Sequence, residues 1–191
     1  MDKNQVITFF DALAESWDRN QVCDDGIISF ILDKGEITKG KRVLDVACGT
    51  GVLFPYYESR EVSVTGTDIS PEMVKIAKEK YPHVEIICGD AETYSFSEKY
   101  DAVMIYNAFP HFADPQKLFG NLIKALRKGG RLTVAHGISM EEVQKCHSGV
   151  AKNVSLPLPQ KEALAEIMSP FFDVDLMISD ERMYMVSGVK K

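Results

Sequence analysis

The chain has no long apolar run, no excess of basic residues, no closely paired cysteines and no low-complexity tract, and each absence removes a class of protein. No stretch approaches the roughly 20 apolar residues of a membrane helix. The opening Met-Asp-Lys-Asn-Gln lacks the basic and apolar regions of a secretory leader. A cytoplasmic location without a membrane partner is the expectation. With 22 Lys and Arg against 28 Asp and Glu, the net charge is −6. Such a chain has no broad positive field, so nucleic acid is not an expected partner. Cys23, Cys48, Cys88 and Cys146 are scattered with no C-x-x-C pair, and they read as reduced thiols rather than a disulfide framework.

What is present is 191 residues, 45% of them apolar, enough for a single core. Val6, Phe9, Phe10, Leu13 and Trp17 recur at helical spacing, and Ile27, Ile28 and Ile31 follow between Asp24 and a stop at Gly35. From Arg42 onward short apolar runs alternate with helical ones. Strands are expected at Val43 to Ala47, Val62 to Thr67, Val84 to Cys88, Ala102 to Tyr106 and Arg131 to His136. Helices start at Ser70-Pro71, Asp114-Pro115 and Ser139, the last with Glu142 as a capping box. Their expected stops are Pro82, Gly129-Gly130 (just after Arg127 and Lys128 in the last turn) and Gly149. A further helix covers Gln160 to Met168, and Phe171 to Ile178 and Arg182 to Val189 form an antiparallel hairpin, because three residues cannot make a parallel crossover. The fold class is α/β: a Rossmann-like, doubly wound, mostly parallel seven-stranded sheet with one antiparallel strand near the C-terminus, preceded by N-terminal helices.

The most informative segment is Val43 to Leu53, a buried strand that enters Gly49-Thr50-Gly51. Bare main chain and backbone N–H groups then face the crevice at the strand's carboxyl end. Asp68 closes the next strand and suits the hydroxyls of a ribose. A dinucleotide fits this pattern too, but Phe54 stands where a third small residue belongs, and Asp45 inside the strand disfavours a diphosphate.

With these residues the chain resembles the class I S-adenosylmethionine-dependent methyltransferases. Val43 to Leu53 is similar to their first motif, Thr65 to Ser70 to the second, Cys88 to Glu92 to the third, Tyr100 to Asn107 to the fourth, and Ala125 to Leu132 to the turn before the fifth strand. Phe9-Phe10-Asp11 through Trp17-Asp18 resembles the entry helix of the subgroup containing ubiquinone and menaquinone biosynthesis methyltransferases. The resemblance implies S-adenosylmethionine as cofactor and a small-molecule methyl acceptor. Asp45, Ala47 and the Gly49, Thr50 and Gly51 turn would hold the methionine end, Asp68 the ribose, Ile69, Asp90 and Ala91 the adenine, and Asn107 the amino acid part. It also implies one domain over 1–191, divided into a helical cap (1–40), a cofactor core (41–136), and a lid segment with C-terminal hairpin (137–191).

For catalysis, His111 and His136 sit past the fourth and fifth strands as candidate bases, while His83 falls at the opposite sheet edge. Trp17, Tyr106, His111 and His147 are candidate acceptor contacts, with Phe109 and Phe112 as possible walls; Phe9 and Phe10 are expected to be simple helix-to-sheet packing. A metal bound by His111, His136 and His147 is a lower-ranked alternative, because imidazoles suit zinc or iron but their spacing is no recognised ligand run, and no metal is the expectation. The chain would act as a monomer or homodimer. The other readings are a non-catalytic S-adenosylmethionine sensor or partner-dependent subunit and, more remotely, a nicotinamide oxidoreductase.

Overall fold

A computed structural model describes residues 1–21, 23–149 and 151–191. Seven strands, β1 (Arg42–Val46), β2 (Ser63–Asp68), β3 (Glu85–Cys88), β4 (Tyr100–Tyr106), β5 (Leu126–His136), β6 (Phe172–Ser179) and β7 (Tyr184–Lys190), make one sheet in the order β3-β2-β1-β4-β5-β7-β6. The first five pair in parallel, and β7 runs antiparallel to both its neighbours. The single reversed strand follows from the short connection after Ser179, where the Asp180 carboxylate accepts the N–H groups of Arg182 and Met183 at 2.8 and 3.0 Å.

Side chains alternate across the pleat, so each strand feeds two cores. Leu44, Val46, Val103, Ile105, Leu132 and Val134 pack with α5 (Pro115–Ala125) and α7 (Lys161–Met168). Val43, Ala102, Met104 and Ala135 pack on the other face with α2 (Asp25–Lys34), α3 (Phe54–Ser59) and α4 (Pro71–Lys80). The expected caps are in place: Ser70 Oγ accepts the Met73 N–H, Asp114 accepts the Lys117 N–H, and Ser139 and Glu142 close a capping box on α6 (Met140–Ser148). One helix end differs. The helix from Pro115 stops at Ala125, because buried Leu126 is already extended and pairs with Tyr100. Arg127 therefore lies in β5 and binds Asp101 at 2.7 Å, instead of closing the last helical turn with Lys128. A register shift between Tyr100 and Ala102 absorbs the extra residues, with Gly129 at φ 73°.

Helix α1 (Lys3–Leu13) and the 3₁₀ turn Ala14–Asn20 lie over the carboxyl edge of the sheet, tied down by two aspartates. Asp11 accepts the Ser70 hydroxyl and the Glu72 N–H at the start of α4. Asp18 accepts the Thr50 hydroxyl and a 2.7 Å bond from the Lys80 ammonium. Among the described residues no helix is long and apolar enough to cross a membrane.

The turn from β1 into α3 depends on Gly51, whose φ is 88°. A Cβ there would lie 2.7 Å from the Phe54 ring and 2.9 Å from the Tyr81 ring. Its role is to let two packed aromatics approach the chain, so it does not itself reach the crevice. Gly51→Ala combines left-handed strain with overpacking and is expected to cost about 2–4 kcal/mol. The urea midpoint should fall with m unchanged; a midpoint equal to wild type would show that the turn relaxes freely.

Candidate functional site

Two non-glycine residues leave their strands in the left-handed region: Ala47 after β1 (φ 57°) and Asn107 after β4 (φ 53°). Such backbone is costly for an L side chain and persists where surroundings enforce it. Asn107 is compensated, since its Oδ1 accepts the Gly137 N–H at 2.9 Å and its own N–H bonds Ala135 O at 2.8 Å. Both bends turn the chain aside at the carboxyl edge of the sheet and leave a cavity under α1.

Of the residues singled out from sequence, Ala47, Gly49, Asp68, Ile69, Asp90, Ala91 and Asn107 line this cavity, with Trp17, Tyr106 and His111. Asp45, Thr50, Gly51, His136 and His147 do not. Pleat parity explains Asp45: it shares the face of Val43, and so is buried toward α3, where Tyr57 feels its charge. Burial, with the Asp68 charge as a second cause, pushes its carboxyl well above the usual range, and its Oδ2 is unpaired. Thr50 is committed to Asp18 and Gly51 to packing. Among the described residues, none of the segment 137–159 expected to act as a lid reaches the cavity.

Asp68 is the best-defined polar wall. It is 8% exposed; Oδ2 accepts the Gly49 N–H and Oδ1 the Ser70 N–H, both at 2.9 Å. Burial raises its proton affinity, and the N–H groups of Ser70, Gly49 and Ile69 oppose this. Three N–H groups thus converge on a carboxylate with about four acceptor positions, which leaves it able to accept a further hydrogen bond from a ligand. Beside it, the buried Cys48 thiol is pushed well above its ordinary value by desolvation and by Asp68 and Asp45, which makes it inert.

The roof was only partly legible. Lys3, Val6 and Phe10 of α1 close the cavity above the sheet, so Phe10 is more than helix packing: its ring edge meets Trp17 at 5.5 Å and His111 at 4.8 Å. Phe112 lines the cavity, whereas Phe109 is core, stacked on Phe119. Lys3 clasps Asp90 and donates to Glu92 at 2.6 Å, while Glu92 accepts the N–H groups of Ala113 and Asp114. Glu92 stood within a recognisable motif; nothing marked Lys3. Desolvation, the largest single influence, would raise Asp90, but the hydrogen bonds from Lys3, the Glu92 N–H and Thr93 together with the Lys3 charge outweigh it and hold the carboxyl below the usual range.

The histidines separate into two groups. His83 is exposed on the far edge beside Glu58. His111, His136 and His147 gather next to the cavity. His111 Nδ1 bonds Val154 O at 2.8 Å, His147 Nδ1 bonds Val143 O at 2.7 Å, and the two Nε2 atoms are 3.3 Å apart. His136 is 2% exposed with Nε2 unpaired. Desolvation pulls His111 down to about 4 and His136 to about 3, with the neighbouring imidazoles adding to both shifts. All available nitrogens of His111 are thus turned to Val154 and His147, which leaves no lone pair aimed at the cavity, and His136 lies behind the wall.

Lys3→Ala removes the clasp but leaves Asp11 and Asp18 in place. Amide exchange across Val6 to Leu13 should quicken while the global urea midpoint stays nearly unchanged; unaltered exchange would show that the aspartates alone hold α1. Because Asp90 is depressed in the folded state, the clasp contributes above the ordinary carboxylate range and is lost as pH falls through the folded value. The exchange difference from wild type should therefore vanish in acid.

A model of the methyltransferase domain matches residues 43–130. A demethylmenaquinone methyltransferase of Renibacterium salmoninarum is 31% identical over 138 residues, 69% of this chain and 58% of that protein. The corresponding enzyme of Paenarthrobacter aurescens is 30% identical over 69% of this chain and 54% of its own length. The chain thus spans little more than half of these relatives. In fold it is similar to the magnesium protoporphyrin IX methyltransferase of Synechocystis, solved with bound S-adenosylhomocysteine, with a TM-score of 0.73 at 19% identity over 100% of both chains. A methyltransferase from Aquifex aeolicus gives 0.71 at 18% identity over 86% and 89%. Sequence motifs in order, a matching domain and the strand order of the sheet agree: the chain belongs to the class I S-adenosylmethionine-dependent methyltransferases.

Proposed function

We propose that the cavity binds S-adenosylmethionine and that the protein transfers its methyl group to a small-molecule acceptor. The observation that carries this reading is Asp68, a buried carboxylate at the end of β2 with an acceptor position to spare, facing a cavity walled by the bare turn at Gly49. A ribose hydroxyl is a donor that such a group accepts. Ile69 and Met73 offer an apolar wall for adenine, and Ala47, Gly49 and Asn107 border the space for the amino acid part. Asp90 would meet the adenine amino group only in company with Lys3, or after displacing it. Asp45, Thr50 and Gly51 shape and anchor the turn from behind.

A sulfonium supplies an already activated methyl group, so the chain's task is alignment and the exclusion of water. Val6, Phe10 and Trp17 roof the cavity with apolar surface, while Tyr106, Phe112 and His111 border the side left for an acceptor. The orientation of the His111 nitrogens supports catalysis by position rather than by a histidine base. The net charge of −6 speaks against a polyanionic acceptor, and a cytoplasmic site of action fits four unpaired thiols.

Asp68→Ala should weaken S-adenosylhomocysteine binding more than about tenfold in calorimetry, with thermal unfolding measured in parallel because Asp68 also braces the turn. Unchanged affinity would place the ribose elsewhere. Screening phenols, quinols and small acids with methyl-labelled cofactor should yield a labelled product; tight binding without turnover across the panel would favour a sensor, and binding of a dinucleotide instead would sink the reading.

A further inference from the structure

S-adenosylmethionine carries a carboxylate at its methionine end, and the cavity offers that charge little to pair with. Among the described residues the one Lys or Arg in the lining is Lys3, already spent on Asp90 and Glu92. His111, which burial lowers to about 4, is uncharged at neutral pH. At the turn itself the Gly49 N–H goes to Asp68 and the Gly51 N–H to Cys48 O. Asn107 Oδ1 holds the Gly137 N–H, and its side chain also reaches the Tyr106 hydroxyl. Trp17 differs from all of these. It is half-buried in the cavity wall, and its indole N–H, which can only donate, has no acceptor among the described residues. Its placement is firm: the 3₁₀ turn Ala14–Asn20 that carries it is fastened to the glycine turn by the next residue, Asp18, through the Thr50 hydroxyl, and Phe10 packs edge-on against its ring. A Cβ on Gly49 would lie 3.5 Å from Trp17 Nε1. The indole nitrogen therefore overhangs the bare main chain that borders the space for the amino acid part.

We propose that Trp17 is a cofactor-binding residue whose indole N–H donates to the methionine carboxylate of S-adenosylmethionine above Gly49. The assignment rests on the methyl-transfer reading and deepens it, moving Trp17 from the acceptor's contacts to the cofactor's. Asp68, Asp90 and Glu92 already make the lining acidic, so a further carboxylate is repelled unless a donor meets it. A neutral donor serves here better than a cation would, because a Lys or Arg beside Gly49 would pair with Asp68 and take up the position left for the ribose. Hydrogen bonds to an ionised acceptor are the stronger kind, and more so where the roof excludes water. Fastening the methionine end at one point and the ribose at another orients the sulfonium between them, which is the alignment that methyl transfer needs.

The test compares S-adenosylmethionine with decarboxylated S-adenosylmethionine, which lacks only the carboxylate, by calorimetry on wild type and on Trp17→Phe. Phenylalanine keeps an aromatic roof and removes the N–H. Wild type should prefer the carboxylated ligand; Trp17→Phe should lose about tenfold for it and stay within about twofold of wild type for the decarboxylated one. An equal loss for both ligands would reduce Trp17 to roof packing, and an unchanged preference would place the carboxylate on another donor; either overturns the proposal. Trp17 is the single tryptophan of the chain, so wild-type emission gives a second reading that needs no variant. S-adenosylmethionine should shift that emission more than its decarboxylated form does at saturation, and equal shifts count against the contact. Wild type that binds both ligands equally refutes the carboxylate contact alone, whereas wild type that binds neither refutes the methyl-transfer reading and this assignment with it.

Discussion

The carboxylate of Asp68 joins three parts of the molecule that otherwise have no reason to meet. It takes the Gly49 N–H from the turn after β1 and the Ser70 N–H at the start of α4, and it stands in the wall of the cavity. Burial makes its charge costly, and the converging N–H groups offset that cost. The turn can open as bare main chain because this one side chain satisfies its N–H. Neighbouring strands in a parallel sheet end at one edge, so the same arrangement leaves a crevice there.

The N-terminal segment completes the site through charge and then closes it with apolar surface. Asp11 and Asp18 bind α4 and the Gly49-Thr50 turn, Lys3 clasps Asp90, and only then do Val6, Phe10 and Trp17 lie over the crevice. Ion pairs at partly exposed positions hold a helix weakly. The roof is thus joined to the sheet by a few polar ties at its ends, while its apolar side chains face the crevice.

Behind the cavity, polar groups are held where solvent does not reach them. Asp45 Oδ2, the Tyr57 hydroxyl and His136 Nε2 are all buried and unpaired. Asp45 lies beside Tyr57 of α3, while His136 sits beside the His111 and His147 pair. None of the three lines the cavity, and each is a polar group enclosed by the packing around it.

Much was decided by the sequence alone. Local signals specified the strands, the caps at Ser70, Asp114 and Ser139, the reversed last strand and the crevice at Gly49, because period, capping chemistry and connection length act over a few residues. Asp68, Ile69, Asp90 and Asn107 were legible as strand-end residues for the same reason. Tertiary structure decided what depends on pleat parity and distant partners. It turned Asp45 toward α3, assigned Thr50 to Asp18 and Gly51 to two aromatic rings, ended α5 early so that Leu126 could pair with Tyr100, and brought Lys3 to Asp90 across 87 residues. It also faced His111 with His147 from a helix 36 residues away. Such contacts are set by how sheet and helices pack, and no local pattern encodes that geometry.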